Sequence, residues 1–163
     1  LHLHREDWLR NSGFAVQRMA IRLTGKLEAH YISGIDRYSD AELVDYRKLI
    51  RAGWLMRDWS AEADRRAEAL LRSVGSAGDL GLRARVGLAE LLNGRELIFP
   101  GLGPVHAGVA EALTIGRAVT VEAPERGDGW LAYGWSLILC NQPQAAGQAA
   151  AVARSRPTSP SAL

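Results

Sequence analysis

The sequence predicts an all-α protein of about seven helices, and three observations carry that expectation. Apolar residues recur at three- and four-residue spacings along most of the chain. Capping patterns open several of these stretches, and glycine or proline closes them. No run alternates as a half-buried strand does. The only β-branched stretch, Ala118-Val-Thr-Val-Glu122, continues a helical stripe through Leu113, Ile115 and Val119.

Composition bounds the answer. A chain of 163 residues suits one compact domain or a short helical array, and folding buries about two-thirds of its unfolded surface, so stability needs neither disulfide nor metal. With 47% apolar and 23% charged residues and a mean hydropathy of −0.10, the chain has the makings of a real core. Twenty basic groups against eighteen acidic ones leave a formal charge of +2. Residues 1–72 carry 13 bases and 11 acids and the remainder 7 of each, so no stripe exists to grip phosphates and nucleic acid is not an expected partner. The longest apolar run, Trp135-Ser-Leu-Ile-Leu-Cys140, is far short of the roughly 18 residues of a membrane span. Cys140 stands alone, which excludes an internal disulfide and fits a reducing, cytoplasmic compartment, with the thiol packed inertly. The chain starts at Leu1 without a charged-then-apolar leader, which fits a trimmed piece of something longer.

Residues 6–24 place Leu9, Val16, Ala20 and Leu23 on one helical face behind Glu6 and Asp7, acids that the helix dipole favours at this end. A weaker pattern, Leu27, Tyr31, Ile35 and Tyr38, follows Gly25. Ser39-Asp-Ala-Glu42 is a capping box that opens a helix to about Asp58. Leu43, Tyr46, Ile50 and Trp54 form one stripe of it, and Val44, Leu49, Leu55 and Met56 a second. Ser60 caps the next helix, Ala61 to Val74, which breaks at Gly75-Ser-Ala-Gly78. Leu80 to Asn93 is helical, with Gly94 as its stop. The prolines and glycines of residues 99–108, FPGLGPVHAG, predict a loop. Helical spacing returns from Val109 to Glu122, stops at Pro124, restarts after Asp128, pauses at Asn141-Gln-Pro143 and ends near Ser155, ahead of a frayed tail.

The most specific signal is an internal period. Residues 111–124, EALTIGRAVTVEAP, are followed by ERGDG and then by WLAYGWSLILCNQPQAAGQAAAVARSRP. Trp130, Tyr133 and Gly134 have the spacing of the first helix of a tetratricopeptide repeat, and Ala146, Ala150 and Ala153 that of its second, with Pro157 one residue from the closing position. Ala112, Gly116 and Val119 repeat the second-helix pattern, closed by Pro124, and Ala112 lies 34 residues before Ala146. Residues 109–157 thus resemble tetratricopeptide repeats. Fainter units, with Val86, Gly87 and Gly94 and with Ala63, Ala67 and Leu70, extend the resemblance to residues 43–157. Two departures stand out: the bulky second-helix position is Gly116 in one unit and Ala150 in the next, and about thirteen extra residues separate Gly94 from Ala112.

The resemblance implies antiparallel helix pairs stacked as a short right-handed array. It divides the chain into N-terminal helices, 1–58, packing on repeats in 59–163 with an irregular insertion at 95–108. It also implies a protein-binding groove lined by Trp135, Leu131 and Ile138, by Leu88 and Leu91 from the preceding first helix, and by Lys48 and Leu55 from the earliest. A glycine inside a helix costs about 1 kcal/mol relative to alanine, so Gly116 and Gly134 need an offsetting close helix approach.

Chemistry finds little purchase. His2 and His4 lack the further ligands a zinc site needs, so no metal or other cofactor is expected, and no catalytic residue stands out. Gly101-Leu-Gly103-Pro104 neither follows a strand nor opens a phosphate-binding helix. The acids of the 62–68 stretch, Glu62, Asp64 and Glu68 beside Arg65 and Arg66, read as a solvated ion-paired face. Five tryptophans, at 8, 54, 59, 130 and 135, are too many for so small a core, so one or two face a partner. The expected function is a non-enzymatic scaffold or chaperone-like adaptor holding a segment of a protein partner. Two other readings are a helical ligand-binding or enzymatic domain with His106 at a pocket under the 99–108 loop, and a subunit of a larger assembly.

Overall fold

The structure, a computed structural model, describes residues 39–58, 60–75, 77–98 and 105–156, apart from the side chains of residues 40, 41, 97, 98 and 105–107. The helices expected over 6–24 and 27–38, and the readings made of His2, His4, Trp8, Trp59 and Pro157, lie outside the described residues. Within them the chain is all-helical, with six helices and no strand: α1 (Asp40–Leu55), α2 (Ala61–Arg72), α3 (Gly78–Ile98), α4 (Val105–Glu122), α5 (Gly127–Leu139) and α6 (Pro143–Arg154). No helix among the described residues is long and apolar enough to cross a membrane.

Local chemistry fixes most helix ends. The Ser39 amide donates to Glu42 Oε2 at 2.8 Å and the Glu42 amide to Ser39 Oγ at 3.3 Å, which completes the capping box of α1. The bond from the Ser39 amide first, and a second from its hydroxyl to Glu42 Oε2 at 2.7 Å, hold the Glu42 carboxyl below its usual range. Ser60 Oγ accepts from the Ala63 amide at 3.2 Å and opens α2. Gly78 takes a φ of +70, a left-handed conformation that only glycine enters freely, and swings the chain from α2 into α3. α5 ends in a Schellman motif: Asn141 is left-handed at φ 57, the Gln142 amide donates to the Leu137 carbonyl at 2.8 Å, and that of Asn141 to Ile138 at 2.9 Å. Pro143 then starts α6, where its missing amide is not needed.

Two predicted boundaries are corrected. α3 runs through Gly94 to Ile98, because the next residue, Arg95, reaches α2 with Nε 2.6 Å from Asp64 Oδ2 and a second contact to Glu68. Those charge-assisted bonds offset what an interior glycine costs. α4 begins at Val105, inside the stretch expected to be a loop, so several of the extra residues before Ala112 lengthen two helices. His106 accordingly belongs to the first turn of α4, although its side chain is outside the described residues.

Each helix packs on its successor, and the odd-numbered helices also touch one another, so that α3 lies between α1 and α5. The larger core cluster includes Leu43, Tyr46, Leu49 and Ile50 of α1, Ala67 and Leu71 of α2, Leu80, Val86, Leu88 and Leu91 of α3, and Ala112 and Val119 of α4. On α1 the expected second apolar surface divides, Leu49 being fully buried in this core while Val44 is exposed. A smaller cluster, Leu137 with Ala146 and Ala149, joins α5 to α6 beneath Leu113, Trp130 and Tyr133. Trp130 and Tyr133 pack against this pair, edge to face with ring centroids 6.4 Å apart, and the indole N–H donates to the Pro124 carbonyl at 2.9 Å.

The interior glycines separate into two kinds. A Cβ on Gly116 would lie 2.9 Å from Tyr133 Cα, a backbone atom, so α4 and α5 meet at a distance that only glycine permits. At Gly134 the nearest atom would be Ala149 Cβ at 3.5 Å, an ordinary contact that alanine tolerates.

Candidate functional site

The candidate site is the outward face of α5. Leu131, Trp135 and Ile138 recur at four- and three-residue spacings, which places them on one side of the helix. They remain 41%, 50% and 55% exposed, whereas Ala132, Gly134, Ser136 and Leu137 between them are buried. The structure thus places these three residues at the surface. Among the described residues the other large exposed apolar side chains, Val44 and Val121, belong to other helices.

The rest of the expected groove does not assemble. Leu88 and Leu91 are only 6% and 5% exposed, because α3 is the central helix and packs against α1, α2, α4 and α5. They are core residues and offer no surface. Leu55 is half-buried and packs on the same core. Lys48 is engaged within the fold: its Nζ lies 2.7 Å from Asp45 Oδ1 and donates to the Ser73 carbonyl at 2.7 Å, satisfying the C-terminal end of α2. Asp45 also accepts from the Gly75 amide at 3.1 Å, and its bond to Lys48, chiefly, holds its carboxyl below the usual range. The exposed apolar surface is thus one helix face, not a groove shared by three helices.

Polar contacts fix that face. On the inner side of α5, Asn93 Nδ2 donates to Ser136 Oγ at 3.0 Å and to the Ala132 carbonyl at 3.3 Å, with both side chains buried. At its N-terminus, Arg126 is nearly buried and joins Asp79 of α3, 2.6 Å from Nη1, to Asp128 of α5. Burial works against the guanidinium's charge, yet the two carboxylates outweigh it and keep the group above its ordinary value. Neither contact was read from the sequence. The only signal for the first was an asparagine placed next to Leu92 at the end of a buried stripe.

A second ionic cluster joins α2, α3 and α4. Arg95 bridges Asp64 and Glu68, while Arg72 meets Glu68 and grips Glu111 through two parallel bonds of 2.7 and 2.9 Å. The 62–68 stretch is therefore more than a solvated face. Burial raises the Glu68 carboxyl, but Arg95 and Arg72 overcome this and leave it below the usual range; Arg72, chiefly, lowers Glu111 as well.

Glu90 behaves in the opposite sense. It is exposed at its surface, yet much of the fold crowds around it. Desolvation first, and the negative charge of Asp128 second, push its carboxyl from 4.5 up to about 7. The folded state then holds the Glu90 proton over a range in which the unfolded chain has released it. Its contribution to stability is complete below pH 4.5 and is lost as the pH rises through about 7. Glu68, Glu111 and Asp45, held low, contribute stability above the ordinary carboxylate range and lose it in acid. Glu90→Gln is accordingly expected to raise the urea midpoint relative to the unaltered chain at pH 8 but not at pH 4. An equal difference at the two pH values would show that Glu90 titrates normally.

The chain matches no protein-family model, no curated protein and no solved structure.

Proposed function

We propose that the chain is a tetratricopeptide-like, non-enzymatic scaffold that holds a segment of a protein partner against α5. One observation carries the reading: Leu131, Trp135 and Ile138 stay about half exposed on one helix face while Ala132, Gly134, Ser136 and Leu137 between them are buried. Covering them yields about 1 kcal/mol each for the leucine and isoleucine and more for the tryptophan, which is the kind of residue that anchors interfaces. Contacts between successive odd-numbered helices, the close approach at Gly116 and the alanine-lined α5–α6 pair support the repeat architecture.

Substituting all three residues by serine is expected to reduce capture of specific partners by at least about tenfold, with circular dichroism and the urea midpoint little changed, because half-exposed side chains contribute modestly to the fold. Quantitative affinity capture with mass spectrometry measures this. An unaltered set of captured proteins on an intact fold would sink the proposal.

A further inference from the structure

Each odd-numbered helix packs on both members of the pair before it, α3 on α1 and α2, and α5 on α3 and α4. α3 and α5 run parallel, since Asp79 in the first turn of α3 meets Arg126 at the start of α5, while Asn93 near its other end meets Ala132 and Ser136. On α3, Leu92 lies against Gly108 of α4, and the next residue, Asn93, faces α5. On α5, Trp130, Gly134 and Leu137 lie against α6, and the next residues are Leu131, Trp135 and Ile138. One residue turns about 100° around a helix. The same step therefore leads on α3 to the following odd-numbered helix, and on α5 to the exposed stripe.

α6 repeats the pattern. Of the α4 residues on the α5 side, Leu113 packs over the smaller core, Gly116 meets the Tyr133 backbone, and Thr120 is buried. The 34-residue period carries these positions to Gly147, Ala150 and Arg154, of which the first and last are exposed and Ala150 is half-buried. Gly147 has nothing within 4 Å of a Cβ position, so no contact among the described residues offsets what an interior glycine costs its helix.

Resting on the reading that the α5 face binds protein, we infer that its occupant is an amphipathic helix of the partner, parallel to α5. It is seated between Leu131, Trp135 and Ile138 on one wall and Gly147 and Ala150 on the other. There it continues the α3–α5 and α4–α5 interfaces by one further helix. Gly147 and Ala150 admit it closely, as Gly116 admits Tyr133. A second copy of the chain fits less well: the three stripe residues leave on the order of 200 Å² uncovered, against the ~800 Å² that each partner of a standard interface buries.

The experiment places benzophenone side chains singly at positions 131, 138 and 154 of the whole chain, photolyses each in cell lysate, and locates the crosslinked residues by tandem mass spectrometry. Positions 131 and 138 stand about 10 Å apart along α5. A parallel helix should therefore be crosslinked from 138 about seven residues nearer its C-terminus than from 131, and position 154 should reach the same helix. Gly147→Leu, which fills the α6 wall with a good helix former, should cut the yield from 138 about tenfold without lowering the urea midpoint. Crosslinked residues only about three apart, as an extended segment gives, would overturn the inference and leave α5 as a binding face. So would the reverse order, crosslinks to a second copy of this chain, no crosslink from 154, or a yield indifferent to Gly147→Leu. No crosslink from any of the three positions would overturn the underlying reading as well.

Discussion

Replacing Gly116 by valine is expected to cost about 3 kcal/mol of stability, most of it through the α4–α5 contact. Valine's Cβ would fall 2.9 Å from Tyr133 Cα and 3.1 Å from the Tyr133 amide nitrogen. A backbone cannot rotate away as a side chain can, so the two helices must separate, and overpacking of this kind costs about 1–3 kcal/mol or more. Separation would also loosen Leu113, Trp130 and Tyr133 over the smaller core. Gly147 supplies the control. It lies within α6, is exposed, and has nothing within 4 Å of a Cβ position, so Gly147→Ala should stabilise by about 0.5–1 kcal/mol through helix propensity alone. Urea denaturation of both variants checks the opposite signs. A Gly116 variant as stable as the parent would mean that α4 and α5 do not meet so closely.

Arg126→Met should cost about 2 kcal/mol near neutral pH. Arg126 is 8% exposed and its guanidinium is shared by Asp79 and Asp128, so its removal leaves two acids facing each other across the α3–α5 junction. The cost falls below that of a fully buried pair because Asp79 is well exposed and also meets Arg83. Two further outcomes separate electrostatics from lost packing. Adding Asp128→Asn should restore part of the stability by removing one of the stranded charges. Lowering the pH through the carboxylate range should shrink the difference between variant and parent. A deficit that is independent of pH would point to packing.

The helix ends were legible because they are local chemistry. Ser39 with Glu42, Ser60 with Ala63, and Asn141 ahead of Pro143 satisfy backbone groups within a turn, so the sequence holds all the partners. Gly116 was legible too, since a glycine inside an apolar helix requires a reason. Gly94 misled for the complementary cause: the residue that carries α3 past it, Arg95, is bound to Asp64 and Glu68, which lie 31 and 27 positions away. Spacing on α5 identified Leu131, Trp135 and Ile138 as a single face, yet the same spacing on α3 proposed Leu88 and Leu91 for a shared groove. Periodicity tells which residues share a side of a helix. It does not tell how many neighbours that helix has, and α3 has four. Glu90 left no trace in the sequence, because its environment is made by Asp128, 38 residues on, and by other groups that only folding brings around it.

Site-specific photo-crosslinking decides whether a partner lies against α5. A benzophenone side chain is placed in turn at Trp135, at Ile138 and, as the control, at Val121, an exposed apolar residue of α4. Partner protein should crosslink from positions 135 and 138 and not from 121. Crosslinks of equal yield from all three positions, or from 121 alone, would contradict a binding face on α5.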